Sequence, residues 1–200
     1  RDQRKAEAKA EEDGVVLDVF GVFSKKSGID ADPDEVHVAV LDYFSRFTPL
    51  QWTHDGRIAT AGVAENLALA VVFPQVERIA VAYELREAGN WSDKFQAVYE
   101  AISNYQVFAV RGNSLELLSG VEGWEDALQA AEAFADENMD ANLAKKSSRW
   151  RNNPPSEKQQ RFAETLGCYR QGMTRGQVGQ AITHALAIKT LKNNRVINGN

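Results

Sequence analysis

Residues 105–118 read YQVFAVRGNSLELL, and this stretch decides the fold. Two candidate strands, Tyr105–Val110, rich in valine and aromatic residues, and Ser114–Leu118, flank Arg111-Gly112-Asn113. Glycine and asparagine supply the positive-φ backbone that a tight turn requires, so the stretch reads as an antiparallel hairpin. The same grammar extends upstream. His54-Asp55-Gly56 is a second turn, and it leads into a candidate strand at Arg57–Ala61. Leu67–Phe73 and Glu77–Leu85 are further candidates, the latter with Ile79, Val81 and Tyr83 alternating. Parallel strands need crossovers of a dozen or more residues, and short turns argue against them. The expected class is α+β: a small antiparallel sheet packed with helices, followed by a short C-terminal helical hairpin.

Helical signals surround the strands. Pro33, Asp34 and Glu35 suit a helix start, and Val36, Val40, Tyr43 or Phe44, and Phe47 recur at near-helical spacing before Thr48-Pro49 ends the run. Val15–Phe23 is a candidate edge strand. Ser92–Tyr105 is a candidate helix through Phe95, Val98, Tyr99 and Ile102, with a strand over Phe95–Ala101 as the competing reading. Trp124–Met139 is the clearest helix of this part, with Leu128, Ala131, Phe134 and Ala135 on one face. Ser156 with Gln159, and Thr174 with Gln177, each form a capping-box pattern. They predict two short helices. Phe162, Ala163 and Leu166 would face inward in the first, with Gly167 as its stop. Val178, Ile182, Ala185 and Leu186 would face inward in the second. So small a hairpin needs the preceding domain, a partner or DNA to complete its core.

Charge divides the chain. Residues 1–140 carry 12 Lys and Arg against 26 Asp and Glu, whereas residues 141–200 carry 11 against 2. The resulting division is a charged lead-in at 1–14, an α+β domain at 15–140, a basic linker at 141–155 and a basic helical hairpin at 156–200. A field of one sign over the last sixty residues attracts a polyanion, and nucleic acid is the leading candidate. The alternative is a docking module whose basic tail binds an acidic protein surface, residues 1–140 of itself or another chain. Lys145, Lys146, Arg149, Arg151, Lys158, Arg161, Arg170 and Arg175 are the candidate phosphate contacts. Trp150 lies inside the cluster as a candidate base-stacking residue, or as a plug into the core. Thr174-Arg175-Gly176 combines a cation with a helix start, where N–H groups favour an anion, although Thr174 also suits a plain cap.

Other chemistry is poorly supported by residue type. One cysteine, Cys168, leaves no internal disulfide framework. His37, His54 and His184 lie far apart without metal-ligand spacing, and His184 reads as a packing residue rather than a base. The carboxylates of 122–140 read as a solvated face. No GxxxxGK[ST], HExxH or GxSxG string is present, so no catalytic residue and no cofactor is assigned to this chain. No apolar run reaches membrane-spanning length and no signal-peptide core is seen, which fits a cytoplasmic protein without a membrane partner. The chain opens with Arg1 rather than Met, which reads as a fragment, a processed chain or a start lying upstream.

The string WRNNPPSEKQQRFAETLG at 150–167 and GMTRGQVGQAI at 172–182 resembles the tail of DEAD/DEAH-type superfamily 2 helicases of actinobacteria and their phages. The positions that carry the likeness are Trp150, Arg151, Pro155, Ser156, Lys158, Gln159, Leu166, Gly167, Gly172, Met173, Thr174, Arg175 and Gly176. The preceding region is similar in outline. The chain departs from that pattern at 86–104, which reads as an insertion, and at Gln177-Val178, where an acidic–small pair is usual. The resemblance implies a non-catalytic accessory region of an ATP-driven helicase. ATP and Mg²⁺ would belong to motor lobes upstream, and DNA, or alternatively RNA, would be the partner.

Overall fold

The computed structural model describes residues 48–75, 96 and 102–197, all within one compact unit spanning residues 39–200. The expected elements at 1–14, 15–23, 33–47 and 77–85, and most of the expected helix at 92–105, lie outside the described residues. The rest forms an α+β structure. Five strands, β1 (Trp52–His54), β2 (Ile58–Ala64), β3 (Leu67–Val72), β4 (Tyr105–Arg111) and β5 (Ser114–Val121), make one sheet in the order of the chain. Every neighbouring pair is antiparallel.

The turns explain the register. Asp55 Oδ1 accepts from the N–H groups of Arg57 and Ile58, both at 3.0 Å, and Gly56 takes φ 88°. Asn66 closes the β2–β3 turn at φ 58°, and Gly112 closes the β4–β5 turn at φ 57°. Thr60 then faces Ala70, and Ala70 faces Phe108. A register shift at Val107/Phe108 brings Leu117 opposite Phe108.

Both sides of the central strands are buried. On one face Ile58, Ala68, Ala70, Val72, Phe108 and Val110 form a cluster with Ala187 and Leu191. Those last two belong to α4 (Arg175–Asn193), which therefore lies across the sheet. The opposite face carries Ala59, Ala61, Leu69, Val71, Val107 and Ala109, all buried. It is covered by α1 (Trp124–Asn138), whose Trp124, Ala127, Leu128, Ala131 and Ala135 are buried. Arg111, packed over the Phe134 ring, fixes the side, and the Glu125 carboxylate lies close enough for its charge to act on Tyr105. Burial and that carboxylate push the Tyr105 phenol up to about 12.

Helix α2 (Ala141–Ala144) starts at Asp140, whose side chain accepts from Asn142 N and whose N–H donates to Val63 O. After a 3₁₀ turn at Arg149–Asn152 comes α3 (Glu157–Thr165). Both expected capping boxes are formed, at Ser156/Gln159 and at Thr174/Gln177. Gly167, at φ 71°, ends α3: its N–H bonds Glu164 O and the Cys168 N–H bonds Ala163 O. The inward stripes differ from expectation. Phe162 and Leu186 are exposed. Ala163 and Val178 are buried as expected, but the buried side of α4 continues through Ala187, Thr190 and Leu191 because its partner is the broad sheet and not α3 alone.

Candidate nucleic-acid interface

The basic residues gather around the 3₁₀ turn because the backbone there is tied on several sides. Lys145 forms an antiparallel bridge with Leu50, and the Lys146 N–H donates to Pro49 O at 3.1 Å. The turn itself is closed by Arg151 N–H to Ser148 O and Asn153 N–H to Trp150 O. From the other side the Arg175 N–H donates to Asn153 O at 2.7 Å, which fastens the first turn of α4 to the end of the 3₁₀ turn.

Arg151 is the centre of this junction. Its Nε donates to Lys145 O at 3.0 Å, and one terminal nitrogen donates to Leu143 O at 2.8 Å and Ala144 O at 3.0 Å. These are the carbonyls left over at the C-terminal end of α2, which a guanidinium suits by both charge and donor geometry. Its stem packs against Gly176. A Cβ added at Gly176 would lie 2.7 Å from the Arg151 Cβ, so glycine is what allows the approach. Burial lowers the Arg151 pKa from its usual value, yet the group stays charged at any physiological pH.

Trp150 is held beside it. The indole N–H donates to Asn142 O at 2.6 Å. The guanidinium carbon of Arg151 lies 4.8 Å from the ring centre, and that of Arg175 lies 5.9 Å away. Both distances fall within cation–π reach. The structure thus brings Lys145, Trp150, Arg151 and Arg175 into one locus, with Lys146 and Arg149 adjacent in the chain.

Lys145, Lys146, Arg149, Lys158, Arg161, Arg170 and Arg175 are all exposed. Lys158 and Arg161 stand on α3, where Arg161 lies 3.6 Å from Glu157 in a solvated i,i+4 pair. Arg170 belongs to the connection between α3 and α4, and its backbone N–H meets Met173 Sδ. Thr174 serves as the α4 cap, accepting from Gln177 N, and its carbonyl accepts from Val178 N. With the Arg175 N–H also occupied by Asn153, the N–H groups of Arg175, Gln177 and Val178 at the helix start are spent on the protein. An anion at this end of α4 would therefore meet the Arg175 side chain.

Three features of the junction had no signal in residue type. Arg151 reads as one more cation until its carbonyl partners are seen. The Asn142 and Asn153 carbonyls are backbone groups that any residue supplies. His184 lies elsewhere: its Nδ1 is 3.0 Å from Thr60 Oγ1 and its Nε2 3.9 Å from Asp55 Oδ2. Burial depresses its pKa, with His54 adding to the depression and Asp55 opposing it. Burial raises the Cys168 thiol, opposite to what an activated nucleophile requires. Among the described residues, no group of three or more His, Cys, Asp or Glu side chains is placed to hold a metal ion. No described helix is long and apolar enough to cross a membrane.

Residues 85–197, more than half of the chain, match the family described as Mitochondrial helicase Irc3, C-terminal domain. The chain belongs to that family. The resemblance read from 150–182 therefore holds at the level of a helicase C-terminal accessory region. No match was found among curated proteins or among solved structures. The matched interval of this helicase C-terminal domain begins after β3. Even so, β1–β3 share the sheet and the core with the matched elements, and β3 pairs with β4 over six residues.

Proposed function

We propose that this chain is the accessory region of an ATP-dependent superfamily 2 helicase of the DEAD/DEAH type, in the actinobacterial or phage form that its tail resembles. Its role is to hold the phosphate backbone of nucleic acid. DNA is the preferred partner and RNA the alternative. Motor lobes upstream in the parent protein would supply ATP and Mg²⁺ chemistry. The α+β body would brace those lobes, in the cytoplasm. Lys145, Lys146, Arg149, Lys158, Arg161, Arg170 and Arg175 would meet phosphates, while Arg151 keeps their scaffold together.

The observation that carries the reading is the coincidence of the family with exposed cations on a tied backbone. Such cations give sequence-independent affinity by releasing counterions from the polyanion. The chain should bind a labelled DNA duplex at low ionic strength, and log K should fall linearly with log salt. Reversing Lys145, Lys146 and Arg149 to Glu should abolish binding, with the far-ultraviolet circular dichroism unchanged. Undiminished binding by this triple variant would reject the contact set. If the wild-type chain bound no duplex but self-associated at low salt, the basic end would instead be a docking surface for an acidic protein face.

A further inference from the structure

The Trp150 indole is fixed before any ligand arrives. Its N–H is bound to the Asn142 carbonyl at 2.6 Å, and the adjoining Arg151 is bound to three carbonyls. Neither group can turn toward a ligand without giving up hydrogen bonds it already makes, one of those of Arg151 being partly buried. Arg175 differs. Its backbone is pinned by the 2.7 Å bond to Asn153 O, its side chain is exposed, and its guanidinium carbon stands 5.9 Å from the indole centre. An arginine side chain ordinarily loses much rotamer freedom when it captures an anion. An aromatic face that already gathers the guanidinium reduces that loss and leaves its N–H edges available for bidentate contact.

We infer that Trp150 is a positioning residue: it holds the Arg175 guanidinium in place for a backbone phosphate and does not itself stack on a base. This rests on the nucleic-acid reading above and assigns the division of labour within the same site. The two roles make different demands. A stacking tryptophan must present an open ring face, contributes to single strands more than to duplex, and acts independently of a neighbouring cation. A positioning tryptophan acts only through Arg175, on duplex and single strand alike.

The experiment uses the full chain and four variants: Trp150→Leu, Trp150→Phe, Arg175→Gln and the Trp150→Leu/Arg175→Gln double. Binding of a labelled DNA duplex is measured by anisotropy across a salt series. Removing one phosphate contact should lower the magnitude of the log K against log salt slope by about 0.9. Trp150→Leu should lose that increment just as Arg175→Gln does, and the double variant should be no weaker than either single. Trp150→Phe, which keeps a ring but lacks the N–H bonded to Asn142, should keep the wild-type slope even if it melts earlier.

A ligand-free readout stands beside the binding series. In the nuclear magnetic resonance spectrum of the wild-type chain, the Arg175 side-chain protons should be displaced by the indole ring current. Trp150→Leu should return them to ordinary positions. Additive losses in the double variant, or a wild-type slope in Trp150→Leu, would overturn the inference and leave the nucleic-acid reading intact. Undisplaced Arg175 protons in the wild-type chain would overturn it as well. Absence of duplex binding by the wild-type chain would remove both.

Discussion

The sheet is covered by two helices built on different principles. Helix α1 seats itself with apolar and small side chains, Trp124, Ala127, Leu128, Ala131 and Ala135. Alanine at three of these positions lets the helix come close to the strands. Helix α4 seats itself with a mixed set. Ala187 and Leu191 are buried in the sheet cluster, but Thr190 Oγ donates to Gly112 O at 3.0 Å and His184 shares a hydrogen bond with Thr60. Thr183 lies over Gly62. Apolar burial dominates the seat of α1, with Arg111 over the Phe134 ring beside it, whereas α4 adds hydrogen bonds to β2 and to the β4–β5 turn. That difference suits the helix whose first turn carries Arg175, because a misplaced α4 would carry that cation with it.

The most disruptive break should come from apolar contact, which both helices share. Leu191→Ala in α4 and Leu128→Ala in α1 should each destabilise the protein by about 2–5 kcal/mol in denaturant titrations. Leu191 is fully buried and Leu128 nearly so, so Leu191→Ala should lie at the upper end. A much smaller effect at Leu191 would mean that polar pairs alone seat α4.

A finer cut separates the helices. Thr190→Val keeps the shape and removes the hydroxyl, leaving the Gly112 carbonyl without that donor. It should cost about 1 kcal/mol. Hydrogen exchange should quicken at the β4–β5 turn, while α1 should be unaffected. An unchanged exchange rate there would show that the Thr190 bond contributes little to holding the turn.

The smallest effects concern pH, and they have opposite signs. His184 has its folded pKa depressed below 6.5, so the unfolded chain binds the proton more readily. Its stabilising contribution is complete above about pH 6.5 and is lost as pH falls through the depressed value. Glu132 on α1 is the reverse case: burial and Asp136 raise its carboxyl above 4.5. Its contribution is present below pH 4.5 and is lost as pH rises through the raised value. Melting curves should therefore show His184→Gln removing a loss of stability on mild acidification. Glu132→Gln should stabilise slightly at neutral pH and do nothing in acid. The same sign for both would contradict the environments described for the two helices.

Legibility followed the same divide. The hairpin at 105–118, the turn at Gly56, helix α1 and both capping boxes were readable, because glycine, cap residues and apolar periodicity act locally. Strand β1 was not, since Trp52–His54 is three residues long and has no period to detect. The inward side of α4 was read correctly at Val178 but not further along, where Thr183, His184 and Thr190 face the sheet and an apolar stripe points elsewhere. In the candidate site, the cations were evident from residue type. What distinguishes Arg151 from its neighbours is a set of backbone carbonyls that only the folded chain brings to it.

The hydrogen bond from the Arg175 N–H to the Asn153 carbonyl has a topological consequence. It makes residues 154–174 a side excursion closed at its own base, with α3 as its content. The entropy of closing such an excursion grows only with the logarithm of its length. Insertions between Gly167 and Gly172 should therefore leave the seat of α4 undisturbed. Evolution has room to reshape the outer cations of α3 while the inner ones keep their address.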